Sequence, residues 1–256
     1  MRKNLTLLTL TMMIGVLMGR SSAITIEGVN VESLKLDTKW MGTYEEVDAF
    51  PYTTLEVIRY EDGTGKYIRT IYQNGFNEVL EGQFIKVEDT KVQDEVNNVG
   101  IEFSDYSLTF KMEDKNLAYK KISPIVQEDF KLSNGLRKDM SYVELKKVFE
   151  LTETPEGPDG PMNATSIEVE GIFVSLHSNT ESVEDADVFG YRVKNGDTKT
   201  FRGIGIGSSV DDIFTLYGPR ELYDYTTSIE YTVGQYSLIF IIADKKVCEI
   251  HCMNTI

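Results

Sequence analysis

The stretch that decides the fold is Arg202–Tyr217, RGIGIGSSVDDIFTLY, because it repeats the pattern of an earlier stretch, Asn134–Phe149, NGLRKDMSYVELKKVF. Aligned without gaps, the glycines in second place and the serines in eighth place coincide. After each serine, apolar residues recur at i, i+3 and i+4, which is the spacing of one helix face. Each copy therefore predicts a turn followed by a short helix whose apolar side faces a sheet.

The start of each predicted helix carries a capping signature. Ser141 is followed three residues later by Glu144, and Ser209 is followed three residues later by Asp212. A serine hydroxyl in this position accepts a hydrogen bond from a backbone N–H inside the first turn, and the acid reaches back to the serine. We therefore expect both helices to begin at these serines.

The repeat continues beyond the helices. Three further pairs of segments match in the same order: TSIE at Thr165–Glu168 and Thr227–Glu230, GIFVSLH at Gly171–His177 with YSLIFII at Tyr236–Ile242, and VFGYRVKN at Val188–Asn195 with VCEIHCMN at Val247–Asn254. These segments read as strands. The sequence thus predicts a helix followed by about three antiparallel strands, used twice, in units of about 131–195 and 199–254.

Both cysteines of the chain, Cys248 and Cys252, fall in the last predicted strand. Alternate strand residues share a face, so the repeat predicts that Cys248, Ile250 and Cys252 face the core, as Phe189, Tyr191 and Val193 would in the first copy. Four residues along a strand span ~13 Å, whereas a disulfide needs Cα atoms within about 7 Å. An intramolecular disulfide is not expected, and a disulfide between two chains stays open.

The first residues read as a leader. A basic start at Arg2 and Lys3 precedes an uncharged apolar run and a small-residue stretch that ends at Ala23, the three-part pattern of a secretory signal peptide. The apolar run is ~14 residues, shorter than the about 20 that span a bilayer. We therefore expect residues 1–23 to be removed and the protein to be secreted or to lie on the cell-envelope exterior, without membrane insertion.

The charge balance restricts the classes of partner. The chain has 26 basic and 41 acidic side chains, and removal of Arg2, Lys3 and Arg20 with the leader leaves 23 and 41, a net charge of −18. Nucleic acids and anionic membranes attract basic surfaces, so neither is an expected partner. Apolar residues make up 41 % of the sequence, which is adequate for a globular core.

The region before the repeat is rich in strands. Short β-rich runs at roughly ten-residue spacing, among them Thr53–Arg59 and Ser107–Lys111, indicate an antiparallel meander that closes into a small barrel or sandwich. The predicted fold class is α+β, with a barrel-like antiparallel meander over residues 24–125 followed by a tandem helix-plus-sheet domain over residues 126–256.

Two family resemblances follow from these motifs. The tandem half resembles the β-lactamase-inhibitor-protein-like fold and is similar to small outer-membrane assembly lipoproteins, on these residues: Gly203, Ile204, Ile206, Gly207, Ser209, Ile213, Tyr217, Gly218, Tyr231, Leu238, Phe240, Asp244 and Val247. Asp139 stands where this motif has glycine. The stretch Trp40–Tyr44, WMGTY, and the strand pair Ser107–Ile122 resemble bacterial lipocalin-like domains, in which the Trp plugs the closed end of the barrel. The first resemblance implies a non-catalytic surface that binds proteins over the concave sheet face. No lipid-bearing cysteine lies near the cut, which weakens the lipoprotein comparison.

The residues themselves point to little catalytic chemistry. With only His177 and His251 as histidines and no nucleophile-elbow, zinc or EF-hand spacing, we expect no cofactor, metal site or catalytic residue. Calcium binding by the acidic loop Glu181–Asp187 stays open beside a solvated loop. The candidate binding residues form one group: Tyr217, Tyr223, Tyr225, Tyr231 and Tyr236. Tyrosines at a sheet face make binding hot spots, although they also suit strands for packing.

These observations favour an exported, non-catalytic module that binds another protein. Two alternatives remain at this point. The barrel could carry a small apolar ligand, or paired carboxylates in a cleft could support a hydrolase.

Overall fold

The computed structural model describes residues 35–73, 76–151, 164–180, 182–220 and 227–254, all within one compact unit, Leu34–Ile256. The predicted leader and the tyrosines at 223 and 225 lie outside the described residues. The first half of the unit is an antiparallel meander of eight strands: β1 Gly42–Glu46, β2 Thr53–Arg59, β3 Gly65–Gln73, β4 Phe76–Glu88, β5 Lys91–Asp94, β6 Val99–Ser104, β7 Ser107–Lys111 and β8 Asn116–Ser123.

The meander closes into a barrel, because β1 pairs with both β2 and β8. The interior is filled by Trp40, which precedes β1, and by inward-facing strand residues: Tyr44, Leu55, Val57, Tyr67, Phe84, Val92, Val99, Ile101, Phe103, Leu108, Phe110 and Tyr119. Trp40 is buried and its ring centroid lies 5.2 Å from that of Phe103. The predicted barrel-like meander is therefore confirmed.

Among the described residues, the second half contains two short α-helices, two 3-10 turns at Gln127–Phe130 and Val183–Asp185, and one six-stranded antiparallel sheet. Its elements are α1 Tyr142–Val148, β9 Ala164–Val169, β10 Ile172–His177, β11 Asp187–Val193, α2 Val210–Tyr217, β12 Ser228–Val233, β13 Tyr236–Ala243 and β14 Lys246–Asn254. The strand order is β12-β13-β14-β11-β10-β9, so the last strands of the two repeats meet in the centre. One helix followed by three strands, used twice, is the predicted α+β arrangement.

The two repeats are related by an approximate two-fold axis, which the strand register locates. Between β11 and β14, Tyr191 pairs with Cys252, Arg192 with His251, and Val193 with Ile250. Arg192 and His251 occupy the same position in the two copies, so this pair lies on the axis. The register also places Phe173 opposite Arg192 and Ile239 opposite His251, which shows that β13 matches β10 one residue later than the sequence alignment predicted.

A β-bulge occurs at the same place in both repeats, and because of it the prediction that Phe189 and Cys248 face the core is wrong. The β10–β11 register shifts at Phe189, and the β13–β14 register shifts at Cys248. Because a bulge residue is an extra residue outside the regular alternation, Val188 and Val247 face the core instead, with 0 % and 2 % exposure. Phe189 is 39 % exposed and Cys248 is only partly buried.

The other cysteine behaves as predicted. Cys252 is fully buried in the apolar core, and both thiols are free. Burial raises the pKa of the Cys252 thiol to about 12, which keeps the reactive thiolate form rare. Cys252 is therefore a small apolar core residue.

The helix starts are as predicted. Glu144 N–H donates to Ser141 Oγ at 3.3 Å, and Asp212 N–H donates to Ser209 Oγ at 3.1 Å, with each acid accepting from its serine in return. Asp139, which replaces the usual glycine of the motif, has φ of +56°, and its counterpart Gly207 has φ of +87°. Asp tolerates this left-handed conformation better than most residues, because its short side chain hydrogen-bonds locally.

A buried ion pair joins the segment after the barrel to the tandem half. Arg202 donates from Nε and Nη2 to the two carboxylate oxygens of Asp129 at 2.7 and 2.6 Å, and the two side chains are 1 % and 0 % exposed. The same guanidinium donates to the carbonyl oxygens of Pro124 and Leu216 at 2.7 and 2.6 Å. Ser123 at the end of β8 donates to the carbonyl of Thr232 on β12. These contacts connect the end of the barrel meander to both the helix and the edge strand of the second repeat.

Candidate functional site: the open face of the sheet

The six-stranded sheet has one face covered by the helices and one face that we call the open face. The covered face carries the main core, in which Leu145 of α1 and Ile213 of α2 pack against strand residues such as Val174 and Phe240. A row of paired residues crosses the open face from β9 to β12, in the order Glu168, Phe173, Arg192, His251, Ile239 and Glu230. The row is acidic at its ends, apolar inside them and basic at the two-fold axis.

Large apolar side chains are exposed around the first half of this row. Phe173 is 36 % exposed, Phe189 is 39 % exposed and Met253 is 46 % exposed. The bulge in β11 contributes to this group, because it turns Phe189 outward. Aromatic, methionine and arginine side chains are the types enriched in protein interfaces.

A depression of about 120 Å³ lies among these side chains, lined by Phe173, Ser175, Phe189, Gly190, Tyr191, Arg192, His251, Cys252, Met253 and Asn254. Gly190 provides room for it. A Cβ atom at this position would lie 2.6 Å from the carbonyl oxygen of Cys252, closer than real Cβ contacts allow. The backbone of β14 therefore requires glycine here, and no side chain of residue 190 occupies the space above the strand.

Charges at the centre of the open face are organised around Glu249. His251 Nε2 donates to Glu249 Oε2 at 2.7 Å, and Arg192 Nε lies 4.0 Å from the same oxygen. The hydrogen bond from His251 holds the pKa of Glu249 below its ordinary value, with smaller contributions from Lys194 and Arg192. Three basic side chains thus surround one carboxylate on the surface of a strongly acidic protein.

The aromatic rings on this face contact cationic or titratable groups. The guanidinium carbon of Arg192 lies 5.8 Å from the ring centroid of Phe173, and the His177 ring lies 6.0 Å from the Phe189 ring. The Arg192 side chain is 45 % exposed. A partner on this face would meet rings and a guanidinium together.

The tyrosines selected from the sequence lie elsewhere. Tyr217 and Tyr231 are 1 % and 0 % exposed, their rings are 5.4 Å apart, and their hydroxyls donate to Thr200 Oγ1 and to the Gly218 carbonyl. Burial raises the pKa of both phenols, that of Tyr231 to about 12. A partner cannot contact these two rings without disturbing the core, which corrects their predicted placement on a binding face.

Tyr236 also belongs to the helix-covered side. It is partly buried, its ring lies 5.8 Å from the ring of Phe130, and Lys138 Nζ lies 3.7 Å from its centroid. The structure therefore brings Tyr217 and Tyr231 together inside the core, with Tyr236 packed against that core. The prediction for residues 223 and 225 falls outside the described residues.

Sequence reasoning missed the open-face residues for a physical reason. Phe173 adds a large apolar side chain to the strand face that also carries Ser175 and His177, so the alternation in Ile172–His177 marks the exposed face only weakly. Phe189 was placed inward because a bulge has no sequence signature in a single chain. The alternation of Phe173, Ser175 and His177 with Ile172, Val174 and Leu176 was the one available signal.

The described parts of the chain contain neither a metal-binding cluster nor a membrane-spanning helix. These residues contain no group of three or more His, Cys, Asp or Glu side chains placed to hold a metal ion. Of the helices that the described ranges contain, none is long and apolar enough to cross a bilayer.

No family model matches the chain, and no curated protein matches it either. A solved structure of the H. pylori beta clamp in complex with 5-chloroisatin matches over 84 % of this chain and 55 % of that chain, with 11 % sequence identity and a TM-score of 0.17. The chain spans about half the length of that protein. A TM-score this low identifies no common fold.

Proposed function

We propose that the protein is an exported, non-catalytic module that binds another protein over the open face of the sheet. The observation that carries this proposal is the group of exposed apolar side chains, Phe173, Phe189 and Met253, around a depression on the sheet face opposite the two α-helices of the described residues. Antiparallel sheets often leave one face in solvent, but that face is then usually polar. A clustered apolar surface rimmed by polar groups marks an interaction site.

The composition of the open face supports a protein as the partner. Phe, Met and Arg are enriched in interfaces, and a few such residues carry most of the binding free energy. The tandem arrangement supports the same function, because the resemblance described above implies protein binding over the sheet. Export follows from the leader-like pattern at 1–23, and the acidic character of the chain disfavours nucleic acid as the partner.

The alternative of a carrier for a small apolar ligand gains no support from the barrel. Its interior is filled by the aromatic and aliphatic side chains given above. It also holds a polar network, in which Arg69 donates to Glu46 Oε2 at 2.9 Å and to the Tyr119 hydroxyl at 2.7 Å. A buried ion pair is a poor lining for an apolar ligand.

The test is capture of a partner by tagged protein from the cells that produce it. We compare the wild-type chain, the double variant Phe173→Ala/Phe189→Ala, and the control Phe76→Ala. Phe76 is a matched control because it is 64 % exposed and lies on barrel strand β4. All three replaced side chains are exposed, so folding is expected to be unaffected, and circular dichroism checks this.

We expect a polypeptide that wild type and Phe76→Ala retain equally and that the double variant retains at least about tenfold less, since truncation of a hot-spot side chain costs about 2 kcal/mol or more and each ~1.4 kcal/mol is a factor of ten. Equal retention by all three proteins would contradict the proposal. If only Phe76→Ala lost the captured polypeptide, the binding surface would lie on the barrel, and this would also contradict the proposal.

A further inference from the structure

The depression above Gly190 has the size of one side chain. Its volume is about 120 Å³, and an apolar cavity of about 150 Å³ accommodates a benzene molecule. The backbone of Cys252 excludes any larger residue at position 190, so the depression is maintained by the fold. Its walls include the rings of Phe173 and Phe189 and the thioether of Met253.

The cation beside the depression is incompletely paired. A guanidinium has five N–H donors. The ion pair recorded for Arg192 among the described residues is a long one, with Nε 4.0 Å from Glu249 Oε2, and that oxygen already accepts from His251 at 2.7 Å. Arg192 therefore presents donors to solvent at the edge of the depression, and the ammonium of Lys194 lies near enough to help lower the pKa of the Glu249 carboxyl.

We propose that the depression is an anchor site for one apolar side chain of a partner polypeptide, and that a carboxylate next to that side chain pairs with Arg192. Charge complementarity argues for an acidic partner segment at this point, although the protein as a whole has a net charge of −15. An arginine and a carboxylate can form two parallel hydrogen bonds, which would fix the orientation of the anchored segment. This inference rests on the proposed function and specifies the chemistry that the open face recognises.

The probes are four short capped peptides that differ only at their centre: Glu-Phe-Glu, Lys-Phe-Lys, Glu-Ala-Glu and Lys-Ala-Lys, each flanked by Gly-Ser. Binding to the full chain is followed by the backbone amide shifts of Gly190 and Arg192 in NMR titrations. We expect the Glu-Phe-Glu peptide to bind at least about tenfold more tightly than the others, a difference of 1.4 kcal/mol.

Variants at the cation give the decisive comparison. Arg192→Glu should reverse the preference toward Lys-Phe-Lys, and Arg192→Gln should bring the two phenylalanine peptides within about twofold of each other. Lys120→Glu is the control, because it reverses an exposed charge on barrel strand β8. It should leave the preference unchanged.

Three outcomes would overturn the inference. Wild type could bind Lys-Phe-Lys more tightly than Glu-Phe-Glu, or it could bind Glu-Ala-Glu as tightly as Glu-Phe-Glu. The third is an unchanged amide chemical shift of Gly190 with Glu-Phe-Glu at millimolar concentration. These outcomes are separable from failure of the proposed function. If partner capture still depends on Phe173 and Phe189, the open face binds protein but recognises side chains other than an apolar anchor beside a carboxylate. If capture does not depend on them, the proposed function itself fails.

Discussion

At the residue scale, Glu56 is a carboxyl group that is largely shielded from solvent. It lies on barrel strand β2, is partly buried, and accepts a hydrogen bond from the backbone N–H of Gln127 at 2.8 Å. Burial is the main cause that raises the pKa of Glu56, and the net value is about 7 once the raising effects of Glu128 and Asp129 and the opposing effects of the Gln127 N–H and Lys138 are included. The side chain therefore titrates near neutral pH in the folded protein.

The sign of the consequence follows from proton binding. An acid whose pKa is higher in the folded than in the unfolded state binds more protons when folded, so stability falls as pH rises from the ordinary glutamate value toward 7 and is constant above it. We expect the free energy of unfolding of wild type to fall by about 2 kcal/mol between pH 5 and pH 8 relative to Glu56→Gln. Urea unfolding at the two pH values measures this.

The control for that experiment is Glu81→Gln, which neutralises an exposed carboxylate on strand β4. The free energy of unfolding of Glu81→Gln should change with pH as that of wild type does. Parallel curves for wild type and Glu56→Gln would mean that Glu56 is solvated in the folded protein, contrary to its position here.

At the element scale, the helix caps make a direct prediction. Ser209 caps α2 and Thr215 lies exposed on the same helix. Ser209→Ala removes the acceptor for Asp212 N–H and should lower the free energy of unfolding by about 1 kcal/mol. Thr215→Ala should change it by less than about 0.5 kcal/mol, because surface substitutions away from such features cost little.

Chemical denaturation of the two single variants checks this prediction. A Ser209→Ala variant as stable as Thr215→Ala would show that solvent satisfies the first turn of α2 as well as the cap does. The equivalent change in the first repeat, Ser141→Ala, should behave like Ser209→Ala because the two caps have the same geometry.

The elements themselves were largely predictable from the repeat. The capping serines, the glycine turns and the alternating segments each have a local physical cause that leaves a mark in the sequence. The bulges at Phe189 and Cys248 do not, because an added residue in one strand is defined only by its partner strand. The one-residue error in matching β13 to β10 has the same origin, since register is a property of the paired sheet.

At the scale of the whole molecule, the buried ion pair between Arg202 and Asp129 connects the segment after the barrel to the second repeat. Burial disfavours the charge on Arg202, but the adjacent Asp129 carboxylate more than offsets this and raises the pKa of the guanidinium. Arg202→Met would leave Asp129 buried without its partner and two carbonyls unsatisfied. We expect a loss of about 3–5 kcal/mol in the free energy of unfolding.

The matched control is Arg137→Met, which removes an arginine whose side chain is 34 % exposed and which pairs with Glu144 on the surface. That change should cost less than about 1 kcal/mol. The double variant Arg202→Met/Asp129→Leu should recover part of the loss, because it removes both buried charges. Equal costs for Arg202→Met and Arg137→Met would refute a structural role for the buried pair.

The candidate site was less predictable than the fold, because a binding face is assembled from several strands. The row from Glu168 to Glu230 draws one residue from each of six strands. Only the register brings Phe173 beside Arg192 and Arg192 beside His251. The tyrosines were conspicuous in the sequence for their number, but their rings serve the core, where large aromatic side chains bury the most apolar area.

The most direct test of binding by the open face is site-specific photo-cross-linking in the producing cells. A benzophenone side chain replaces Phe173 in one protein and Phe76, on the barrel, in another, and adducts formed under ultraviolet light are identified by mass spectrometry. We expect position 173 to yield an adduct with a second polypeptide and position 76 to yield none. An adduct from position 76 without one from position 173, or no adduct from either, would contradict protein binding over the open face.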